Sequence, residues 1–341
     1  MLALTRNPIN RRRALLLGVA ASLGAPSILR AAAAEFSYKF ATGQDPTHPV
    51  NTRLKEAFDR IRDKTSGRME IRLFPANQLG TETDALSQVR NGALEFTILS
   101  ASILATLVPV SGICNTAYAF ASYDEVWKAM DGPLGNYIQA QITKVGLVPN
   151  AKIWDNGFRQ CTASTRDLKG PEDFSGFKIR VPLAPMLTSF FAAIGASPTP
   201  MNFAEVYSAL QTRVIEGQEN ALSLIATTRL YEVQKYCGLT GHSWDGYWPL
   251  ANRRAWQSLP ADLRELVTGE IDRSVVDQRA DVAEKDRTLR SELEAKGMVI
   301  RDIDKNKFRA VLAKTTYYKD WKGKYGDEAW GHLESVVGKL A

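Results

Sequence analysis

The chain has 341 residues, of which 45% are hydrophobic and 23% are charged, and these values are ordinary for a folded globular protein. This length suits one large domain or two. The net charge of +6 originates in the first 34 residues, which hold five arginines and no acidic residue, because the rest of the chain carries 38 basic and 37 acidic residues. The positive charge therefore does not indicate nucleic-acid binding.

Residues 1–34 have the order of an export signal. Arg11, Arg12 and Arg13 precede an apolar run over residues 14–25, and four alanines at 31–34 supply a small-residue cleavage site. The run has about 12 residues, whereas a membrane span needs roughly 20, and no later segment reaches that length. The segment RRALL at 12–16 fits a twin-arginine signal, with an ordinary Sec signal as the alternative. We therefore expect export to the periplasm, with cleavage near Ala34 and Glu35.

Three cysteines, Cys114, Cys161 and Cys237, follow this segment. They form no C-x-x-C motif, so the sequence does not indicate a zinc site or a redox motif. One disulfide could form in an oxidising compartment and would leave one thiol unpaired. The alternative, which we favour, is that all three are buried as small hydrophobic side chains.

Strand and helix signals alternate in the first third of the exported chain. Phe36, Tyr38 and Phe40 alternate with other residues as in a strand, and a capping box at 81–84, with Asp in place of Glu, opens a helix. The predicted order is strand 36–41, a helix after His48 and Pro49, strand 69–73, a helix from 81 to 92, and strand 94–98. This β-α-β-α-β pattern predicts a mostly parallel sheet with helices on its faces.

Shorter signals lead to one long helix. The predicted elements are a helix capped at 122–125, strand 145–154, strands 178–181, 197–200 and 236–240, and a helix over 202–210. From Pro260 to Lys296, apolar residues recur at helical spacing without an interior proline, and Gly297 supplies a stop. This segment predicts a helix of about 35 residues and roughly 50 Å, which is longer than one domain. The alternative is a pair of helices broken near Gly269.

Two segments forty residues apart are the most specific features of the chain. Residues 176–182 (GFKIRVP) are typical of a short strand that carries one arginine, and residues 216–220 (EGQEN) are typical of a turn that presents an amide. With residues 74–80 (FPANQLG), residues 232–236 (EVQKY) and the His48-Pro49 pair, they resemble the extracytoplasmic solute-binding proteins of TRAP transporters, the DctP-type family. The family often has proline where this chain has Ala221, which could loosen the loop but leaves the amide in place.

The resemblance implies an α/β, two-lobed fold like that of periplasmic binding proteins, with a ligand cleft between the lobes and a long helix spanning both. Lobe I would hold residues 35–156 and 246–285. Lobe II would hold residues 157–245 and 286–341. Strands would cross between the lobes, and the cleft would close around the ligand by a hinge motion.

The resemblance places three residues at the ligand. Arg180 offers a planar, bidentate fork to a carboxylate that has lost its water; otherwise it is a surface arginine on a strand edge. Asn220 can donate to a carboxylate or accept from a hydroxyl, or else it stabilises a turn. Arg159 matches a second arginine that reaches the ligand in some family members, and its alternative is a pair with a nearby acid.

Aromatic residues are candidates for the walls of the cleft. Trp154, Trp244, Tyr247 and Trp248 offer faces that suit a sugar ring or an aromatic acid. They are equally suited to packing in the core or between the lobes, and we expect about half of them to touch the ligand.

Two histidines and two serines complete the set of candidate residues. His242 matches a family position near the cleft, and His48 is a weaker candidate. Ser100 and Ser102 follow the third predicted strand. Because parallel sheets bind ligands at the carboxyl ends of their strands, a hydroxyl contact from either serine is reasonable.

The resemblance implies a periplasmic substrate-binding subunit of an ion-gradient-driven, ATP-independent transporter. It would deliver an organic acid to small and large membrane subunits and work as a monomer without cofactor or metal. A ligand sensor that feeds a receptor kinase is the alternative. An enzyme is disfavoured because the chain has three widely separated histidines and neither a G-x-S-x-G nor an H-E-x-x-H motif.

Overall fold

The computed structural model describes residues 34–340, and these residues form one mixed sheet with helices on its faces. The export signal predicted at 1–34 lies outside the described residues except for Ala34. The strands are β1 Phe36–Ala41, β2 Met69–Phe74, β3 Phe96–Ser100, β4 Leu147–Pro149, β5 Trp154–Ala163, β6 Lys178–Val181, β7 Ser197–Pro200, β8 Gly217–Ala221, β9 Tyr236–Leu239, β10 Trp244–Asn252 and β11 Val299–Asp302.

The helices lie between and after these strands. The α-helices are α1 Pro49–Lys64, α2 Glu82–Asn91, α3 Ala101–Leu104, α4 Tyr123–Met130, α5 Pro133–Lys144, α6 Pro185–Ala193, α7 Val206–Gln211, α8 Leu222–Thr227, α9 Arg253–Ser258, α10 Ala261–Ala295, α11 Lys305–Leu312 and α12 Tyr317–Val337. Short 3-10 helices lie at Pro109–Asn115, Pro171–Phe174, Phe203–Glu205 and Leu230–Glu232. Within the described residues, no helix is both long enough and apolar enough to span a membrane.

Each lobe contains parallel strands. In the first lobe, β1 pairs in parallel with β2 and β3, which confirms the β-α-β-α-β prediction. The capping box at the start of α2 also forms, because Thr81 accepts from the Asp84 amide and Asp84 accepts from the Thr81 amide. In the second lobe, β6 pairs in parallel with β7 and β8.

Two long strands connect the two lobes. The first half of β5 pairs with β10, and its second half pairs with β8 and β9. β10 in turn pairs with β3 of the first lobe. The β5–β10 register shifts between Asp245 and Gly246, and opposite this bulge Gly157 has a φ of 107°. Bulges bend strands and increase their twist, so the crossing point is where the two lobes can change their angle.

The sequence did not predict β10, and it predicted one strand where the structure has β4 and β5. β10 contains Gly246 and Pro249, and a proline argues against a central strand because it has no amide to donate. Residues 150–153 separate β4 from β5 in the segment predicted as a single strand, with a bend at 151–152. The prediction of one strand over 145–154 was therefore wrong in its bounds.

The long helix forms without a break, so the two-helix alternative at Gly269 is wrong. α10 covers 35 residues. Its first half packs Leu263, Val267, Ile271 and Val275 against β1, β3 and α1 of the first lobe. Its last turns place Leu289 and Leu293 in a separate core with residues of α7 and α8. The helix thus contributes to the cores of both lobes, as predicted.

The C-terminal helix and the cysteines complete the packing. α12 packs on α4, α5 and α6, and the Trp321 indole donates to the Ser189 hydroxyl of α6 at 3.1 Å. Cys114, Cys161 and Cys237 are all free and buried, which fits the interpretation of small core side chains.

Candidate ligand-binding site

A small cavity lies where the carboxyl ends of the parallel strands of the two lobes face each other. Its lining residues follow β1, β2 and β3 in the first lobe and lie at or after the ends of β6, β7 and β8 in the second. It contains about 300 Å³ of empty space, counting the space that is continuous with solvent. It is lined by Gln44, Glu82, Ser100, Ser102, Ile103, Asn156, Arg159, Arg180, Pro182, Phe203, Asn220, Leu224 and Tyr247. This is the location expected for a ligand of an open α/β sheet.

A hydrogen bond joins the two lobes near the cavity. Thr83 in the first turn of α2 donates to the amide oxygen of Asn202, which follows β7, at 3.2 Å. The next residue, Phe203, lines the cavity. The key polar lining residues are buried, with Arg180 at 1% exposure and Asn220 at 2%.

Arg180 is a buried cation that forms no ion pair with the described residues. Its Nε and Nη2 atoms donate to the Met201 carbonyl at 3.0 and 2.7 Å, and its guanidinium lies 5.7 Å from the centre of the Phe203 ring. Burial lowers its pKa to about 10, while the carboxylates of Glu219, Glu82 and Glu205 act from a distance to raise it. Arg180 therefore remains charged at neutral pH. A buried charge is costly without a partner, so this site favours an anion.

Arg159 also lines the cavity, but acidic residues of the protein hold it. Its Nε and Nη2 donate to the Glu219 carboxylate at 2.5 and 2.8 Å, and its Nη1 donates to Asp245 at 3.3 Å. Burial would raise the pKa of Glu219, but Arg159 and His242 hold it at about 2. Arg159 thus forms direct ion pairs within the protein, whereas Arg180 forms none with the described residues.

Asn220 links Arg159 to the neighbouring Gln218 side chain. Its Oδ1 accepts from Arg159 Nη2 at 3.0 Å, and its Nδ2 donates to the Gln218 side chain at 2.8 Å. The next residue, Ala221, has a φ of −64°, the value that a proline would impose. The prediction of a turn at 216–220 was wrong, because residues 217–221 form strand β8, paired with β5. Ala221 at its end has a backbone angle that proline also adopts, and the Asn220 amide lines the cavity.

Hydroxyl and amide groups form another part of the lining. Ser100 and Ser102 share a hydrogen bond of 2.9 Å, and Ser102 also donates to Asp245 at 3.2 Å. The Tyr247 hydroxyl donates to the amide oxygen of Asn156 at 2.9 Å. These groups hold one another in place and present polar atoms beside the two arginines.

Five of the predicted candidates for the ligand site do not line the cavity. His48 caps α1 by accepting from the Val50 amide, and His242 lies behind Glu219, 3.1 Å from its carboxylate, stacked on Phe190. Trp154 and Trp244 belong to the two large apolar cores. Trp248 likewise belongs to the core.

The sequence analysis missed several lining residues, of which Gln44 and Glu82 have the most distinctive chemistry. Gln44 follows β1, and Glu82 is the first residue of α2, after β2. Both residues follow the carboxyl end of a parallel strand, as Ser100 does, so their positions in the sequence carry the same signal. Glu82 is less evident because it also lies within the capping box of α2.

Comparisons with known proteins agree with this architecture. Residues 40–322 match the model of the bacterial extracellular solute-binding protein family 7, DctP. The chain is 30% identical over 293 residues to the 2,3-diketo-L-gulonate-binding periplasmic protein YiaO of Escherichia coli K12, covering 86% of this chain and 88% of that protein. A longer relative from Sinorhizobium fredii is 33% identical, and the chain spans 56% of its length.

Two crystal structures show the same fold. A TRAP periplasmic solute-binding protein from Sulfurospirillum deleyianum with bound succinate has 26% identity and a TM-score of 0.84, with 89% of this chain and 99% of that chain covered. One from Roseobacter denitrificans with bound L-galactonate has 28% identity and a TM-score of 0.82, with the same coverage. These relatives are solute-binding proteins and not enzymes. The chain therefore belongs to the DctP family of bacterial extracellular solute-binding proteins.

Proposed function

We propose that this protein captures a small organic acid in the cavity between its lobes, with Arg180 as the group that binds the carboxylate. It would deliver the acid to the small and large membrane subunits of a TRAP transporter. It would act in the periplasm as a monomer, after removal of residues 1–34. The observation that carries this proposal is a buried guanidinium with no acidic partner among the described residues.

The geometry of Arg180 leaves one edge of its guanidinium for the ligand. Nε and Nη2 are held by the Met201 carbonyl, and no hydrogen bond within the described residues uses Nη1. A carboxylate placed there would balance the charge in a site that excludes water, where charge-assisted hydrogen bonds are strong. Asn220, Arg159 and the hydroxyl groups of the cavity would then fix its orientation.

The ligands in the names of the relatives fit this chemistry. YiaO binds 2,3-diketo-L-gulonate, and the two crystal structures hold succinate and L-galactonate. These molecules differ in length and in hydroxyl content, but each carries a carboxylate. The lining of the cavity combines the Arg180 cation with amide and hydroxyl groups, and such a lining suits a carboxylate that carries further polar groups.

The release of the ligand would follow from the hinge. Opening at the β5–β10 crossing, near Gly157 and the Asp245–Gly246 bulge, would separate Arg180 on β6 from the residues that follow β1 to β3. We propose lobe boundaries near residues 156 and 246, as in the sequence analysis. Ligand would then be exposed to water and to the membrane subunits.

Thermal unfolding of the purified protein with a panel of organic acids tests the proposal. An acid at about 100 times its Kd should stabilise the protein by ~2.7 kcal/mol, which raises its Tm by a few degrees. Arg180→Ala should abolish the shift, and Arg180→Lys should retain only part of it because lysine is a point charge. Arg273→Ala on the exposed face of α10 is the matched control. Equal shifts in wild type and Arg180→Ala would contradict the proposal.

Uptake into proteoliposomes that hold the two membrane subunits would test delivery. We expect uptake of the acid to require both the binding protein and an ion gradient, without ATP. Binding without uptake would instead favour the sensor.

A further inference from the structure

A single acidic side chain lies in a cavity otherwise suited to an anion. Glu82 lines it together with Arg180, is 8% exposed, and makes no side-chain hydrogen bond or ion pair with any described residue. A buried acceptor of this kind needs a donor, and the protein does not provide one.

The position of the Glu82 side chain is set by a glycine. A Cβ built on Gly43 would lie 2.9 Å from Glu82 Cγ and 3.2 Å from Oε1. The side chain therefore packs directly over the Gly43 backbone, in space that any other residue would occupy. The capping box of Thr81 and Asp84 fixes the backbone on the other side.

A second unpartnered acceptor lies next to Gly43. Gln44 is 3% exposed and lines the same cavity, and its Oε1 has no hydrogen-bond partner among the described residues. The first lobe thus presents two acceptors, the Glu82 carboxylate and the Gln44 amide oxygen. The second lobe presents the Arg180 cation. The cavity is polarised, with an anion-binding side and a side that needs hydrogen-bond donors.

We propose that Glu82 is a specificity-determining residue, whose carboxylate accepts hydrogen bonds from the hydroxyls of a monocarboxylic acid bound at Arg180 and repels acids with a second carboxylate. The inference rests on the proposed function and narrows it to hydroxylated monocarboxylates. Two carboxylates in one site of low dielectric repel each other strongly, whereas a hydroxyl donating to a carboxylate forms a charge-assisted hydrogen bond. A site built around a buried polar group discriminates strongly against ligands that leave this group unpaired.

Three acids of four carbons each test the proposal by titration calorimetry at pH 8. D-erythronate carries hydroxyls, succinate carries a second carboxylate, and butyrate carries neither. We expect the wild-type protein to bind D-erythronate at least tenfold more tightly than either of the others. Glu82→Gln, which keeps the shape and removes the charge, should weaken D-erythronate binding several-fold and strengthen succinate binding about tenfold.

Gly43→Ala is a second variant that leaves the charge in place. Its Cβ should displace the Glu82 side chain and lower D-erythronate affinity, while a matched Gly67→Ala change, at a site remote from the cavity, should leave it unchanged. Thermal unfolding of each variant shows whether it is folded.

Two results would overturn the inference. One is equal wild-type affinity for succinate and D-erythronate. The other is a ratio of D-erythronate to succinate affinity that is the same in the wild-type protein and in folded Glu82→Gln. If Arg180→Ala abolishes binding of the acids while Glu82→Gln leaves this ratio unchanged, only this inference fails. If the wild-type protein binds none of the three acids, the proposed function and this inference fail together.

Discussion

Gln278 of the long helix makes both backbone hydrogen bonds of Asp155 on the crossing strand β5. Its Nε2 donates to the Asp155 carbonyl at 2.7 Å, and its Oε1 accepts from the Asp155 amide at 2.9 Å. The side chain thereby makes the backbone hydrogen bonds that a neighbouring strand would otherwise make, at the point where the register of β5 and β10 shifts. The long helix α10 is therefore hydrogen-bonded directly to β5 at the crossing point between the lobes.

Replacing Gln278 by alanine should destabilise the protein substantially. Two buried backbone groups would lose their partners, and each such loss costs about 1–3 kcal/mol. We expect the free energy of unfolding in urea to fall by roughly 2–5 kcal/mol, whereas Gln211→Ala on exposed α7 should change it little. A loss as small as that of the control would show that water replaces the side chain.

Two glycines should respond in opposite ways to alanine. Gly157 has a φ of 107° at the crossing point, and an added Cβ would lie 3.3 Å from Ala221 Cβ. Gly157→Ala should therefore cost about 1–3 kcal/mol of stability. Gly269 lies in the exposed interior of α10 with nothing near its missing Cβ, so Gly269→Ala should stabilise by about 1 kcal/mol. Urea unfolding measures the change in the free energy of unfolding for each variant. Changes of the same sign in the two variants would contradict this assignment of backbone strain.

Glu219 should be essential for stability because it balances Arg159. Both side chains are buried, and removing one partner of a buried pair typically costs about 3–5 kcal/mol. We expect Glu219→Gln to lose roughly this amount at pH 7, against little change for the exposed control Glu284→Gln. Because the pKa of Glu219 is held at about 2, below that of the unfolded chain, its contribution should persist above pH 4.5 and decline as the pH falls toward 2. A Glu219→Gln cost that is the same at pH 2 as at pH 7 would contradict this.

Glu82 should give stability the opposite dependence on pH. Burial raises its pKa to about 7, against the pull of Arg180 and Arg159 and with a further rise from Asp245. The folded form therefore holds the proton more tightly than the unfolded chain, and the free energy of unfolding should decrease as the pH rises from 4.5 through 7. Glu82→Gln should remove this decrease, which amounts to at most ~3 kcal/mol in the closed form. Urea unfolding at pH 5 and pH 8 measures it, and a constant difference between the two proteins would contradict the assignment.

The sequence predicted what periodicity and family motifs encode. The parallel strands, the long helix and Arg180 follow from local patterns, because each depends on residues that are close in the chain. β10 was missed because Pro249 and Gly246 oppose strand formation locally, and only pairing with β3 and β5 overrides them. Trp154 and Trp244 were considered for the cleft because burial in a core and contact with a ligand have the same sequence signal.

Glu82 and Gln44 show a different limit of sequence reasoning. They are separated along the chain, and their significance lies in the absence of partners in the folded structure. An unpaired acceptor has no sequence signature, because pairing is decided by residues that the fold brings near. Only the assembled cavity shows that these two groups remain available.

The burial of Arg180 without an ion pair bears on how a membrane partner could recognise a loaded binding protein. If the lobes close as proposed, closure would remove water from the guanidinium and would be most favourable when an anion enters with it. The outer surface of the closed protein would then differ in population between loaded and empty protein. A membrane partner that binds this closed surface would select loaded protein without contacting the ligand.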